Sequence, residues 1–165
     1  MYTYALNYQP RLLSMCRLFA GVHWDTQVKP PKTHRVAQVY ASAVPVAYAK
    51  STTVTDWEAF ARMVLEAAYD ATLLVAKAMS QRQGGRRVTV YLTQLGGGAF
   101  GNPKAWILDA IKAALRKHQH APLDVKLVHY CSVPPSAVTD LSFPERGPTK
   151  RHKGTRASEA SCTTF

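Results

Sequence analysis

Between Tyr91 and Pro103 the chain reads YLTQLGGGAFGNP, an apolar strand pattern that runs into three glycines and then into a helix start. Glycine tolerates backbone conformations and close approaches that a Cβ forbids. The first turn of a helix presents unpaired N–H groups at the positive end of its dipole. Together these features predict a diphosphate cradle built from Gly96, Gly97, Gly98, Ala99, Phe100 and Gly101. A carboxylate introduced at Gly97 should then fill the phosphate space and abolish binding while leaving the fold intact.

The other reactive residue types form no comparable group. His23, His34, His118, His120, His129 and His152 are scattered, and none stands in a Ser, Asp or Cys constellation. Cys16, Cys131 and Cys162 are widely spaced, with no C-x-x-C pair and no metal-ligand spacing, which favours a reducing compartment over a disulfide framework. Cys131, at the end of a predicted strand, is either a buried small hydrophobe or a residue facing a ligand crevice. Asp56 and Glu58 suit the first turn of a helix, and Glu66 and Asp70 a wet face, so no paired-carboxylate site emerges. No metal set is expected, and no catalytic residue can be named.

The elements that must position the loop follow from periodicity. Val36–Ala43 reads as a buried strand, with Pro45 at its end. Thr55 and Glu58 match a capping box, and the following helix places Trp57, Phe60, Ala61, Val64, Leu65, Ala68, Ala71, Leu74, Val75 and Met79 on its apolar side. Gly84 and Gly85 should close it in the left-handed conformation. Val88–Leu95 is a second strand. Asn102 and Pro103 then open a helix with an apolar stripe at Trp106, Ile107, Ala110, Ile111, Ala114 and Leu115, and Leu123–Cys131 is a third strand. Strands joined by helices of this length run parallel, which predicts an α/β fold: a three-layer sandwich with a mostly parallel sheet.

Domain organisation follows the same reading. Residues 1–34 form an N-terminal extension with a short helix expected over Arg11–Phe19, residues 35–132 the α/β core, and residues 133–165 a flexible basic tail. A hydrophobic fraction of 47% supports a packed core, and the formal net charge of +11 is spread over head, core and tail, favouring anionic partners in general. No run of about 18 apolar residues suggests a membrane span. The chain lacks the pattern of a signal peptide, so an intracellular location, cytoplasmic or nuclear, is expected.

Taken literally, Gly96, Gly98 and Gly101 satisfy the dinucleotide fingerprint G-x-G-x-x-G. Against it, Asn102 and Pro103 start the helix after the motif, and no acidic residue ends the following strand, where Tyr130, Cys131 and Ser132 stand. A triphosphate loop is excluded by the absence of Lys-Ser or Lys-Thr after the glycines. The helix VLEAAYDATLLVAKA, the glycine turn, the strand, the loop G-G-x-F-G with a proline beyond it, and the next helix and strand instead resemble the C-terminal half of a macro domain. VAQVYASAVP is similar to the strand that precedes that helix in the family.

The resemblance covers about Val36 to Tyr130. It implies binding of ADP-ribose or a related nucleotide diphosphate, Gly96 to Gly101 wrapping the diphosphate and Phe100 beside the distal ribose. Asn102 is left with two readings, a helix cap or a ligand contact. An early Asp and an Asn-rich loop, which the family carries in its first half, have no counterpart here, so that half is either divergent or missing. A shortened domain would expose a sheet edge and invite self-association. ADP-ribose enters as ligand, with no cofactor. The alternatives are an ADP-ribosyl hydrolase acting on a modified macromolecule, and an interaction protein that contacts nucleic acid through residues 148–157.

Overall fold

The computed structural model describes residues 20–130 and 132–136. The expected helix over Arg11–Phe19, the three cysteines and the basic tail lie outside the described residues. The described chain is mixed α/β. Strands β1 (Gly21–Gln27) and β2 (Arg35–Tyr40) form an antiparallel hairpin, followed by helix α1 (Glu58–Arg82), strand β3 (Val88–Leu92), helix α2 (Lys104–Lys117) and strand β4 (Leu123–Leu127). β3 and β4 pair in parallel, from Val88 opposite Leu123 to Leu92 opposite Leu127. Val128 N–H carries the pairing one residue further by donating to Leu92 O at 2.8 Å.

The sheet is therefore not continuous. β2 was expected to be a buried strand of one mostly parallel sheet, yet its ladder partner is β1, which lies inside the region assigned to the N-terminal extension. Only Ala37 and Val39 of β2 are even half-buried. Residue alternation in β3 shows where the helices sit. Val90 and Leu92 are buried while Thr89 and Tyr91 are exposed, so α1 and α2 cover one face of the parallel pair, and among the described residues the other face is open.

The core lies between the two helices and this covered face. Leu65, Leu73, Ile107 and Ile111 are fully buried, each contributing about 1.5–3 kcal/mol of hydrophobic stabilisation. The α2 stripe falls where the spacing predicts it, with Trp106, Ile107, Ala110, Ile111 and Ala114 buried. In α1 the buried face is rotated from the expected one. Ala61, Leu65, Ala68, Tyr69, Leu73 and Ala76 point inward, whereas Phe60 and Leu74 are exposed. Apolar residues surround much of this helix, so spacing alone left its inward face underdetermined.

Two polar clamps hold the helices in register. Arg62 donates to Glu58 Oε1 at 2.7 Å and to Asp109 Oδ2 at 2.8 Å, and its guanidinium lies 5.5 Å from the centre of the Trp106 ring. Further along, Asp70 receives Lys117 Nζ at 2.6 Å and stands 2.7 Å from His118 Nε2. Burial works against the Asp70 carboxylate, but the hydrogen bonds from Lys117 and His118 outweigh it and hold its pKa below the ordinary value.

The start of α1 also differs from expectation. A 3₁₀ turn, Val54–Trp57, precedes Glu58, so the reciprocal cap forms at Thr53 and Asp56 rather than at Thr55 and Glu58. The Thr53 N–H and hydroxyl both donate to Asp56 Oδ2 at 2.8 Å, which lowers the Asp56 pKa. Gly84 and Gly85, at φ 70° and 81°, end the helix region as expected. The expected strands Val88–Leu95 and Leu123–Cys131 both stop earlier, at Leu92 and Leu127. The extra residues of the first become the approach to the glycine loop.

Candidate functional site

The glycine loop leaves the carboxyl end of β3 and enters α2. Tyr69 anchors its approach from below: the phenol donates to Thr93 O at 2.8 Å and accepts from Leu95 N–H at 2.9 Å. Burial pushes the Tyr69 pKa up to about 12, so the hydroxyl keeps its proton and can donate. Gln94 comes next, its carbonyl accepting Gly97 N–H at 3.1 Å and its side-chain Nε2 lying 3.5 Å from Nδ1 of the buried His129.

From the other side the loop is held by the segment after β2. Asn102 Nδ2 donates to Val44 O at 2.8 Å and to Gly96 O at 3.2 Å, and Ala47 N–H donates to Phe100 O at 3.0 Å. Phe100 packs on the core and meets the Tyr48 ring edge-on at 5.8 Å. Residues 43–48 thus form a strap across the base of the loop. Ala43 and Val46 bury their side chains within it.

The strap explains two glycines directly. Gly96 has φ 74°, and a Cβ there would lie 2.4 Å from Ala43 Cβ and 2.6 Å from Asn102 Nδ2. Gly101 has φ 70°, and its Cβ would lie 2.7 Å from Ala47 Cβ. Gly97 is confined as well, with Ile107 Cδ1 at 3.1 Å and Gln94 O at 3.3 Å from a Cβ. A glutamate at Gly97 would therefore require Ile107 and Gln94 to give by a few tenths of an ångström, so Gly98 is the cleaner place to introduce a carboxylate. Gly98 differs: it is exposed, and no described residue lies within 4 Å of a Cβ placed on it.

At this tip the backbone donors point away from internal bonds. The N–H groups of Gly98, Ala99 and Phe100 make no hydrogen bond to a described residue, while Gly101 N–H closes a turn on Gly98 O at 2.9 Å. The α2 N-terminus follows directly, adding its dipole to the same end.

Asn102 does not cap α2. Pro103 occupies that position without a side-chain cap bond, and the Asn102 amide ties the loop to the strap instead. With Nδ2 facing two carbonyls, Oδ1 is fixed on the opposite side, buried and without a hydrogen-bond partner among the described residues. An acceptor left this way costs about 1–3 kcal/mol, the kind of local conflict that clusters at functional sites.

Of the residues predicted from sequence, Gly96, Gly101 and Asn102 are structural parts of the loop base, Phe100 packs beneath it, and Gly97, Gly98 and Ala99 are exposed at its tip. Sequence reasoning did not find Tyr69, Gln94, His129 or the strap, because their roles depend on contacts between distant segments. Only the strand position of His129, in phase with Val125 and Leu127, carried a signal of burial. Among the described residues no cluster of three or more His, Cys, Asp or Glu could hold a metal ion, and no helix is long and apolar enough to cross a membrane. A cavity of about 90 Å³ lies at the loop's approach, between Val39, Ala41, Tyr69, Tyr91 and Leu95.

Comparison of the chain with protein-family models, curated proteins and solved structures finds no match.

Proposed function

We propose that this protein is a macro-domain-like module that binds ADP-ribose or a related nucleotide diphosphate at the tip of the glycine loop. One observation carries the reading. Three consecutive N–H groups, at Gly98, Ala99 and Phe100, make no bond to a described residue at an exposed turn that opens directly into α2. Backbone donors beside a helix N-terminus suit a diphosphate, which needs several hydrogen bonds and a positive field but no particular side chain. Gly98 adds the space for close approach. In this reading the strap and Tyr69 hold the donors in place before the ligand arrives, which lowers the ordering cost of binding.

The test is calorimetric titration of the full chain with ADP-ribose, NAD, AMP and inorganic pyrophosphate. Micromolar-range binding of ADP-ribose is expected, with a melting temperature that rises with ligand excess. Gly98→Glu should abolish that heat while leaving the ligand-free melting curve unchanged, since its side chain projects into open space. No heat with any of the four ligands on folded protein, or full affinity in Gly98→Glu, overturns the proposal.

A further inference from the structure

The hairpin at the start of the described chain serves no purpose in the loop just discussed, yet it carries a second surface. Between His23 and Thr26 the β1–β2 register slips, and Asp25 sits at φ 64°, an unusual conformation for a residue other than glycine. Such bulges re-aim side chains. Here the bulge brings Trp24 against α1, where the Arg82 guanidinium lies 5.1 Å from the ring centre. The indole is still 42% exposed. Asp25 itself is neutralised by Arg35, whose Nε lies 2.6 Å from Oδ1.

Arg82 is the cation set against this aromatic, and further cations follow on the same two elements of the chain, Arg86 four residues beyond Arg82 and Lys29 and Lys32 beyond Trp24. Arg82 and Arg86, and Lys29 and Lys32 in the hairpin turn, are exposed and make no ion pair among the described residues. No acidic residue stands between Asp70 and Asp109 in the sequence, so nothing on that stretch offsets Arg82 and Arg86. We infer that the face around Trp24 and Arg82 binds single-stranded nucleic acid, a base stacking on the indole and phosphates meeting Arg82, Arg86, Lys29 and Lys32. An exposed aromatic against an arginine, with further cations that make no ion pair among the described residues on the same segments, offers what such strands require: stacking that is indifferent to base identity, and electrostatic contact with the backbone. An anionic membrane surface fits less well, because it calls for several apolar side chains that insert together, and the contact shown at Trp24 is a single indole against a guanidinium. The site is separate from the glycine loop and does not depend on how that loop is read.

The experiment is fluorescence anisotropy of the full chain with fluorescein-labelled 15-nucleotide oligouridylate and oligothymidylate at two salt concentrations. Trp24→Ala should weaken binding about 5- to 160-fold, the range expected for loss of one stacked base, and Trp24→Phe should stay within about threefold of wild type. The oligonucleotide should quench tryptophan emission in wild type and not in Trp24→Phe. Arg82→Gln with Arg86→Gln, both on exposed positions, should weaken binding and flatten the salt dependence by about one to two released ions. Three results overturn the inference: no binding to either strand, unchanged affinity in both the Trp24→Ala and the double-arginine variants, or binding to phosphatidylserine vesicles alone.

Discussion

Gly96→Ala and Gly98→Ala make the same chemical change two residues apart, and the structure assigns them opposite outcomes. At Gly96 the backbone has φ 74°, where a Cβ costs about 1–2 kcal/mol. That Cβ would also lie 2.4 Å from Ala43 Cβ and 2.6 Å from Asn102 Nδ2, both on packed groups rather than free side-chain ends. Overpacking of this sort adds about 1–3 kcal/mol. Displacing Asn102 further strains its bonds to Val44 O and Gly96 O, so a loss of roughly 3–5 kcal/mol is expected, about 10 °C in melting temperature. At Gly98 no described residue lies within 4 Å of a Cβ, and the change should fall within about 0.5 kcal/mol of zero, or stabilise slightly by restricting the unfolded chain. Urea denaturation followed by circular dichroism, with slopes compared to confirm a common unfolding transition, reads both values. Equal costs within about 1 kcal/mol, or a larger cost at Gly98, would refute the claim that the strap dictates the loop.

Two further predictions concern the anchors. Tyr69→Phe removes the hydroxyl that serves Thr93 O and Leu95 N–H, and should destabilise the protein by about 1–3 kcal/mol in the same denaturation experiment; a change below 0.5 kcal/mol would mean the loop is held by packing alone. The Asp70 clamp predicts acid sensitivity: a folded-state pKa lowered from 3.8 means the native state binds fewer protons than the unfolded one, so its stabilisation is present above about pH 4 and is lost as pH falls through the lowered value. Asp70→Asn should be less stable at pH 6 and show a shallower decline in unfolding free energy below pH 4, and an unchanged decline would assign the acid response to other carboxylates.

How much of this was readable from the chain depends on how local the cause was. The α2 stripe, the left-handed stop at Gly84 and Gly85, and the position of the loop between a strand and a helix all follow from short-range spacing, and all are present. The pairing of β2 with β1 was not readable, because β1 contains Trp24, Asp25 and a bulge that break its alternation. The cap at Thr53 and Asp56 was hidden by an equally good match at Thr55 and Glu58, and only the 3₁₀ turn decides between them. For Asn102, neighbouring Pro103 suggested a cap, while the actual partner, Val44, lies 58 residues away.

The same distinction changes what the glycine pattern means. Gly96, Gly98 and Gly101 match a dinucleotide fingerprint, but two of the three are set by the strap: Ala43 excludes a side chain at Gly96 and Ala47 excludes one at Gly101. A match to the pattern therefore arises from internal packing and says nothing of a ligand at those two positions. Of the three, Gly98 alone has no described residue within 4 Å of a Cβ, and it is also where the run of N–H groups that bond to no described residue begins. Under the proposed diphosphate reading, a glycine that no described contact explains, at the start of N–H groups with no described partner, is the part of the motif that bears on binding. Substitutions at Gly96 or Gly101 should lower stability whatever the ligand, which makes Gly98 the position at which the proposed binding can be tested apart from folding.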